Sequence, residues 1–135
     1  MMPHQASAPR HVFVYGTLRA GGSNDIARLR PPPERVGDGA IAGTLYDLGA
    51  YPGAVLGGAG RVHGEIYRIT PEVEAALDRL EEVVDDGSGE YIKRELLVVV
   101  NAVRLRCLVY EVHPDRVHDR PVIASGDWFR REFHG

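Results

Sequence analysis

The segment that follows Thr70 has the clearest periodicity in the chain and predicts an amphipathic helix. Its apolar residues recur at spacings of three and four, as on one buried helical stripe. Thr70 is a preferred N-cap residue, and Pro71 suits the first helical position because it needs no amide donor there. The predicted stripe consists of Val73, Ala76, Leu77, Leu80 and Val84. We expect the helix to end before the polar loop of residues 85–89.

The other patterned segments predict strands. The apolar run at 11–15 predicts a buried first strand, and the glycine-interrupted alternation at 35–48 predicts a bent strand. Residues 54–56 and 61–69 predict two more strands, separated by a flexible turn at 57–60. Residues 91–100 and 103–112 predict a hairpin with a tight turn at Asn101 and Ala102.

The remaining segments carry turn and cap signals. A glycine-bearing loop spans 16–22, after which Ser23 or Asn24 is expected to cap a short helix through Leu29. Residues 121–129 predict a strand end, a turn capped by Ser125 or Asp127, and a buried aromatic pair. Together the elements predict an α+β domain, with a small mixed, barrel-like sheet and two main helices. We expect a flexible arm at 1–10, a single domain at 11–130 and a tail at 131–135.

Composition narrows the classes of partner. The chain has 135 residues, which suits one compact domain, and its net charge is −3, so it lacks the positive field that attracts nucleic acid. Cys107 is the single cysteine, which excludes an internal disulfide. We find neither a signal-peptide pattern nor an apolar run long enough to span a bilayer. The sequence therefore predicts a cytoplasmic protein with no membrane partner, and leaves its oligomeric state open.

Two adjacent glutamates near the end of the predicted helix are candidates for acid–base chemistry. Successive helical residues point about 100° apart, which places Glu82 opposite the stripe and Glu81 at its edge. A carboxyl at the boundary of a core is partly desolvated, which raises its pKa and suits it to accept and return a proton. The alternative is a structural carboxylate paired with an arginine such as Arg94.

The loop after the first strand is a candidate anion site. Tyr15 ends the strand, and Gly16 permits the following N–H groups to turn towards a bound carboxylate. The segment is neither a dinucleotide-binding glycine motif nor a phosphate-binding loop of the Gly-Lys-Ser/Thr type. Glycine turns after strands are common, so this pattern alone leaves the ligand open.

At this point the chain resembles the γ-glutamylcyclotransferase-like family, through seven segments that occur in family order. These are Tyr-Gly-Thr-Leu at 15–18, Gly-Thr-Leu-Tyr-Asp-Leu-Gly at 43–49, Tyr-Pro at 51–52, Gly-x-x-Tyr at 64–67, Leu-Asp-x-x-Glu at 77–81, Tyr-x-x-Arg at 91–94 and Ser-Gly-Asp-Trp at 125–128. The resemblance implies a barrel-like fold with a pocket between the 15–18 loop and the helix that carries the glutamate.

The resemblance also implies roles for individual residues. Glu81 is the expected acid and base, which moves protons while the α-amine of a γ-glutamyl group attacks its own γ-carbonyl and releases 5-oxoproline. Tyr15, Gly16, Thr17 and Leu18 are expected to bind the polar end of this small-molecule substrate. Tyr91 and Tyr110 are candidates for further hydrogen bonds, or are ordinary strand aromatics. Neither a metal nor an organic cofactor is expected.

Two alternatives and one departure accompany this interpretation. The same fold can serve as a binding module without turnover, or act on a different amide. Family members often have glycine after the catalytic glutamate, where this chain has Glu82 and Val83. The acidic loop of residues 85–90 is expected to narrow the pocket or disfavour anionic substrates.

Overall fold

The computed structural model describes residues 10–81 and 89–131 of the chain. These residues form five strands and one α-helix, in an α+β arrangement. The elements are β1 (Arg10–Val14), β2 (Glu34–Asp47), β3 (Pro52–Ile69), α1 (Pro71–Leu80), β4 (Tyr91–Val100) and β5 (Val103–Val112). The predicted helix N-terminus and the predicted β4–β5 hairpin are confirmed. No helix in these two ranges has the length and apolar character needed to cross a bilayer.

The expected second helix is only a three-residue 3-10 turn, Ile26–Arg28. Its cap is Asp25 rather than Ser23 or Asn24, and the Asp25 side chain accepts a hydrogen bond from the backbone of Ala27. Glycines and the Pro31–Pro33 run on either side leave too few residues for a full helical turn to propagate.

The strands form one mixed sheet with the order β2-β3-β1-β5-β4. β1 lies in the middle, antiparallel to β3 and parallel to β5. No ladder joins the two edge strands β2 and β4 among the described residues, so the barrel expectation is corrected to an open sheet. The edges nevertheless approach each other, because the Asn101 side chain donates a hydrogen bond to the Val36 carbonyl at 3.2 Å.

One long strand replaces the two strands predicted at 54–56 and 61–69. β2 pairs with β3 on both sides of the predicted turn, with Gly43 opposite Leu56 and Ala42 opposite Arg61. Residues 57–60 therefore form a bulge within β3, and Gly57 and Gly58 both have positive φ there. The glycines do mark a local departure from strand geometry, but β2 pairs with β3 on both sides of it and so keeps both halves in one strand.

The helix is shorter than its predicted stripe. The Thr70 hydroxyl accepts a hydrogen bond from the Val73 amide at 3.3 Å, and Val73 and Leu77 are buried. Leu80 is 55% exposed, which corrects its assignment to the buried stripe. α1 ends there, so Leu80 lies at the edge of the core rather than under a further turn. The predictions for Val84, Glu82, the loop at 85–88, most of the N-terminal arm and most of the tail lie outside the described residues.

Apolar side chains pack on both faces of the central strand β1. Phe13 belongs to the cluster that includes Trp128, whereas Val12 and Val14 belong to the cluster that includes Leu77 of α1. Trp128 is buried as predicted, but Phe129 is 46% exposed, so the predicted buried aromatic pair is wrong. Phe129 instead lies under the Arg19 guanidinium, with the ring centroid 4.3 Å from Cζ.

Candidate active site

A cavity of about 270 Å³ opens where the β1 loop, the start of β3, the end of α1 and the start of β4 meet. This volume is close to the small end of ligand pockets, which start at roughly 300 Å³. All of the site residues that we proposed from the sequence line this cavity. The nominated residues are Tyr15, Gly16, Thr17, Leu18, Glu81, Tyr91 and Tyr110.

Glu81 caps the C-terminus of α1, and its backbone N–H donates to the Leu77 carbonyl at 2.9 Å. Burial, together with the nearby charge of Glu90, raises the pKa of Glu81 from its ordinary value of 4.5 to about 7. Within the part of the chain that the structure describes, no donor forms a hydrogen bond with its carboxylate. The alternative pairing with Arg94 is wrong, because Arg94 Nε donates to Glu111 Oε1 at 3.0 Å.

The loop after β1 contributes Gly16, Thr17 and Leu18 to the lining of the cavity. The carbonyls of Gly16, Thr17 and Leu18 all accept hydrogen bonds, from the amides of Arg19, Asn24 and Ile26 at 2.9–3.0 Å. The N–H groups of the same three residues donate to no acceptor in residues 10–81 and 89–131. Since backbone donors are normally paired, this cluster is able to receive an oxyanion or a carboxylate.

Gly16 is required here for a reason other than the predicted one. Its φ is not in the left-handed region. A Cβ at this position would instead lie 2.7 Å from Cγ of Pro52, which is closer than side chains approach each other. The glycine therefore allows the β1 loop to lie directly against the start of β3.

Two of the nominated tyrosines hold these segments together. The Tyr15 hydroxyl donates to the Tyr110 carbonyl at 2.6 Å and accepts from the Ala54 amide at 3.1 Å. The Tyr91 hydroxyl donates to the Pro52 carbonyl at 2.7 Å. Burial raises the pKa of both phenols well above their usual range. Both hydroxyl protons are committed to the protein, so these side chains form the cavity wall.

The third nominated tyrosine is bound to a charged network at the helix. The Tyr110 hydroxyl donates to Asp78 at 2.7 Å, and Asp78 also accepts from Lys93 Nζ at 2.9 Å. Lys93 reaches Glu74 at 2.8 Å as well. Burial and the hydrogen bond to Asp78 raise the pKa of Tyr110. This network attaches β4 and β5 to α1 directly before Glu81.

Sequence reasoning missed several lining residues, above all Tyr51, Pro52 and Glu90. The Tyr51 hydroxyl donates to Glu90 Oε2 at 2.6 Å, which joins the turn before β3 to the segment before β4. The Tyr-Pro pair at 51–52 was a visible signal, as it belongs to the motifs quoted above. Glu90 was not proposed as a site residue by itself, although it ends the acidic loop of residues 85–90 that was expected to lie near the pocket.

A buried ion-pair network holds the end of the β1 loop in place. Glu65 is 3% exposed, and it accepts from Arg19 Nε at 3.0 Å, the Ala20 amide at 2.9 Å and the Tyr67 hydroxyl at 2.9 Å. Arg19 also donates to Asp127 at 2.7 Å. A buried carboxylate requires such pairing. We call Arg19, Glu65 and Asp127 the Arg19 network. It connects the loop to β3 and to the C-terminal turn.

Asp127 confirms the prediction of a capped turn. Its carboxylate accepts from the Phe129 amide at 3.0 Å and caps the 3-10 turn Trp128–Arg130. Burial alone would raise the pKa of Asp127, but the hydrogen bonds from Arg19 and Phe129 lower it below its ordinary value.

Comparisons with known sequences agree with this geometry. The family model described as gamma-glutamyl cyclotransferase, AIG2-like, matches residues 12–130. A candidate gamma-glutamylcyclotransferase of Vibrio cholerae is 38% identical over 128 residues, which cover 89% of this chain and 96% of that protein. The gamma-glutamylcyclotransferase family protein YtfP of Escherichia coli is 35% identical over 127 residues, which cover 90% and 97% of the two chains.

Solved structures show the same fold. The solution structure of ytfP from Escherichia coli has a TM-score of 0.58 at 38% identity, and the match covers 90% of this chain and 97% of that one. An AIG2-like protein from Mus musculus has a TM-score of 0.67 at 26% identity, with coverage of 93% and 86%. The cavity, the seven ordered motifs and these matches together place the chain in the AIG2-like γ-glutamylcyclotransferase family.

Proposed function

We propose that this protein cyclises a γ-glutamyl group to 5-oxoproline and releases an amine or an amino acid, with Glu81 as the acid and base. One observation carries the proposal. A carboxyl group with a pKa of about 7 and no hydrogen-bond donor in the described structure lines the same small cavity as Gly16, Thr17 and Leu18, whose backbone N–H groups have no acceptor among the described residues. A base and an anion site are what this reaction requires.

The reaction is internal to the substrate. Glu81 takes a proton from the α-ammonium, because only the neutral amine is a nucleophile. The amine nitrogen then attacks the γ-carbonyl carbon, and the bond from that carbon to the amide nitrogen breaks. Glu81 returns the proton to the departing nitrogen. The attacking nitrogen still carries one proton more than the lactam N–H needs, and this second proton also passes, by way of Glu81, to the departing amine, which leaves as an ammonium. The products are 5-oxoproline and a free amine, so no water is consumed.

A pKa of about 7 suits both halves of this cycle at neutral pH. A carboxyl with an ordinary pKa would accept a proton readily only in acid. Near neutral pH, Glu81 is present in both its ionised and its protonated form. The wall formed by Tyr15 and Tyr91 fixes the folded shape of the substrate, which contributes proximity. The N–H groups at 16–18 hold the α-carboxylate or the developing oxyanion.

The test is to incubate the purified protein with γ-glutamyl amines and γ-glutamyl dipeptides and to measure 5-oxoproline by chromatography. We expect product from the native protein and a loss of about 100-fold or more in kcat for Glu81→Gln, which cannot accept a proton. Glu34→Gln is the matched control, since Glu34 is exposed and lies outside the cavity. Binding without product would instead indicate a binding module, and release of free glutamate would indicate hydrolysis.

A further inference from the structure

The described lining of the cavity is acidic. It contains the carboxylates of Glu81 and Glu90 and no lysine, arginine or histidine. The proposed reaction employs Glu81 and the N–H groups at 16–18, which together match the amino-acid end of a γ-glutamyl group. Glu90 contributes to the raised pKa of Glu81, but its carboxylate has no other part in that reaction. Its carboxylate is available to recognise another part of the substrate.

The cavity has a buried base and an exposed rim. Tyr15, Leu18 and Tyr91 at the base are 5–7% exposed. Tyr51 and Leu80 are 36% and 55% exposed, so they mark the opening to solvent. A substrate with its γ-glutamyl end at the base must extend its leaving group past this rim.

Glu90 belongs to the rim and is held in place there. Its carboxylate accepts a hydrogen bond from the Tyr51 hydroxyl at 2.6 Å, and its backbone carbonyl accepts from the His113 amide at 2.8 Å. Tyr91, the next residue, is anchored through its own hydroxyl to Pro52. Glu90 is therefore a negative charge held by hydrogen bonds at the rim of the cavity, rather than a mobile surface side chain.

We propose that Glu90 determines specificity by favouring γ-glutamyl amides whose leaving amine carries a second, positively charged group. This inference rests on the proposed function. A terminal ammonium a few methylenes beyond the amide nitrogen would lie near the Glu90 carboxylate and the face of Tyr51. A leaving group that ends in a carboxylate would meet a like charge instead, with no cation in the described lining to offset it.

The experiment compares three γ-glutamyl amides of matched length. Their leaving amines are 1,4-diaminobutane, with a terminal ammonium, n-pentylamine, with a neutral methyl end, and 4-aminobutanoate, with a terminal carboxylate. Release of 5-oxoproline gives kcat/KM, and calorimetry gives the affinity for each amide independently of turnover. We expect kcat/KM and affinity to be highest for the cationic amide, by about tenfold over the anionic one, as for a partly exposed ion pair.

Glu90→Gln removes the charge but retains the hydrogen-bonding shape of the side chain. We expect this variant to lose most of the preference, measured as the ratio of kcat/KM between the cationic and the neutral amide, since this ratio cancels any effect of the lost charge on the pKa of Glu81. Glu34→Gln, with the same charge change at an exposed position outside the cavity, is expected to keep the preference. Raised salt should weaken the preference in the native protein, because the rim is open to solvent.

Each outcome decides between the two proposals. Turnover without charge preference, or a preference that survives in Glu90→Gln, overturns the role of Glu90 and leaves the cyclisation standing. Charge-selective binding that depends on Glu90, without formation of 5-oxoproline, supports the role of Glu90 in specificity and overturns the cyclisation. If none of the three amides binds or reacts, the role of Glu90 is overturned, and the cyclisation is overturned as well if the γ-glutamyl dipeptides also give no 5-oxoproline.

Discussion

Glu81 occupies a position that is unfavourable for a carboxylate. It caps the C-terminus of α1, where the helix dipole favours positive rather than negative charge, and it is partly buried near a second carboxylate. Among the described residues no cation offsets these effects at its carboxylate. The proposed catalytic group therefore reduces the stability of the fold whenever it is ionised.

We predict that Glu81→Gln stabilises the protein at high pH. The folded pKa of about 7 lies above the ordinary 4.5, so the folded state binds the proton more tightly than the unfolded state. Stability of the native protein should then fall as pH rises from about 4.5 to about 7. Glutamine removes this loss, with a gain of about 1 to 3 kcal/mol above pH 7 and none below pH 4.

Thermal unfolding of both proteins across this pH range measures the difference directly. Glu34→Gln should show no such dependence, since Glu34 is exposed. A stability difference between Glu81→Gln and the native protein that does not change with pH would show that Glu81 has an ordinary pKa. That result would remove the argument for Glu81 as a base at neutral pH.

The turn of the β4–β5 hairpin has a backbone conformation that does not suit one of its two residues. Asn101 and Ala102 both have positive φ, at 51° and 63°. This is the geometry of the two-residue turn that suits the twist of a hairpin. Asparagine tolerates it, but alanine is disfavoured by about 1 kcal/mol or more because of its Cβ.

Ala102→Gly should therefore stabilise the protein by about 1 kcal/mol, which corresponds to a rise of about 3 °C in Tm. Thermal unfolding followed by circular dichroism measures this shift. Ala42→Gly is the matched control, because Ala42 is an exposed residue within β2, where glycine only adds freedom to the unfolded chain. The control should lower Tm. An equal fall in both variants would contradict the strain at Ala102.

Most elements with local signals were predicted correctly from the sequence, the exception being the helix expected after Ser23 or Asn24. The Thr70 cap, the Asn101–Ala102 turn and the cap at Asp127 depend on residues within a few positions of each other. Predictions that depend on distant partners were wrong. β3 continues through the break predicted at 57–60, because β2 pairs with it on both sides of that segment. Leu80 and Phe129 are exposed because no other segment covers them.

In the candidate site, too, most residues with a local sequence signal were predicted, whereas residues placed by distant parts of the molecule were not. Helical geometry and the motifs selected Glu81 and the 15–18 loop, and the structure brings both to one cavity. The buried Glu65 was missed because its role arises from strand pairing. Pro52 and Glu90 belong to segments that the sequence singled out, but neither residue was given a role at the site. The order of the sheet, with β1 between β3 and β5, assembles segments that lie far apart in the sequence.

The Arg19 network extends the influence of the loop beyond the cavity. Arg19 follows the 16–18 donors directly, and its guanidinium is bonded to Asp127, which caps the turn that begins at Trp128. Trp128 is the single tryptophan of the chain and is 4% exposed. The network thus joins the proposed anion site to one natural fluorophore.

This connection supplies an optical reporter of occupancy. A ligand that shifts the 16–18 loop should also shift Arg19, and through Asp127 the turn that holds the indole, so we expect it to change the surroundings of Trp128. Addition of 5-oxoproline, or of a γ-glutamyl amide, should shift the intrinsic emission of the native protein in proportion to saturation. Asp127→Asn should uncouple the signal from binding, whereas Asp115→Asn, at a side chain that is 87% exposed, should preserve it. Ligand affinity would then be readable without any label.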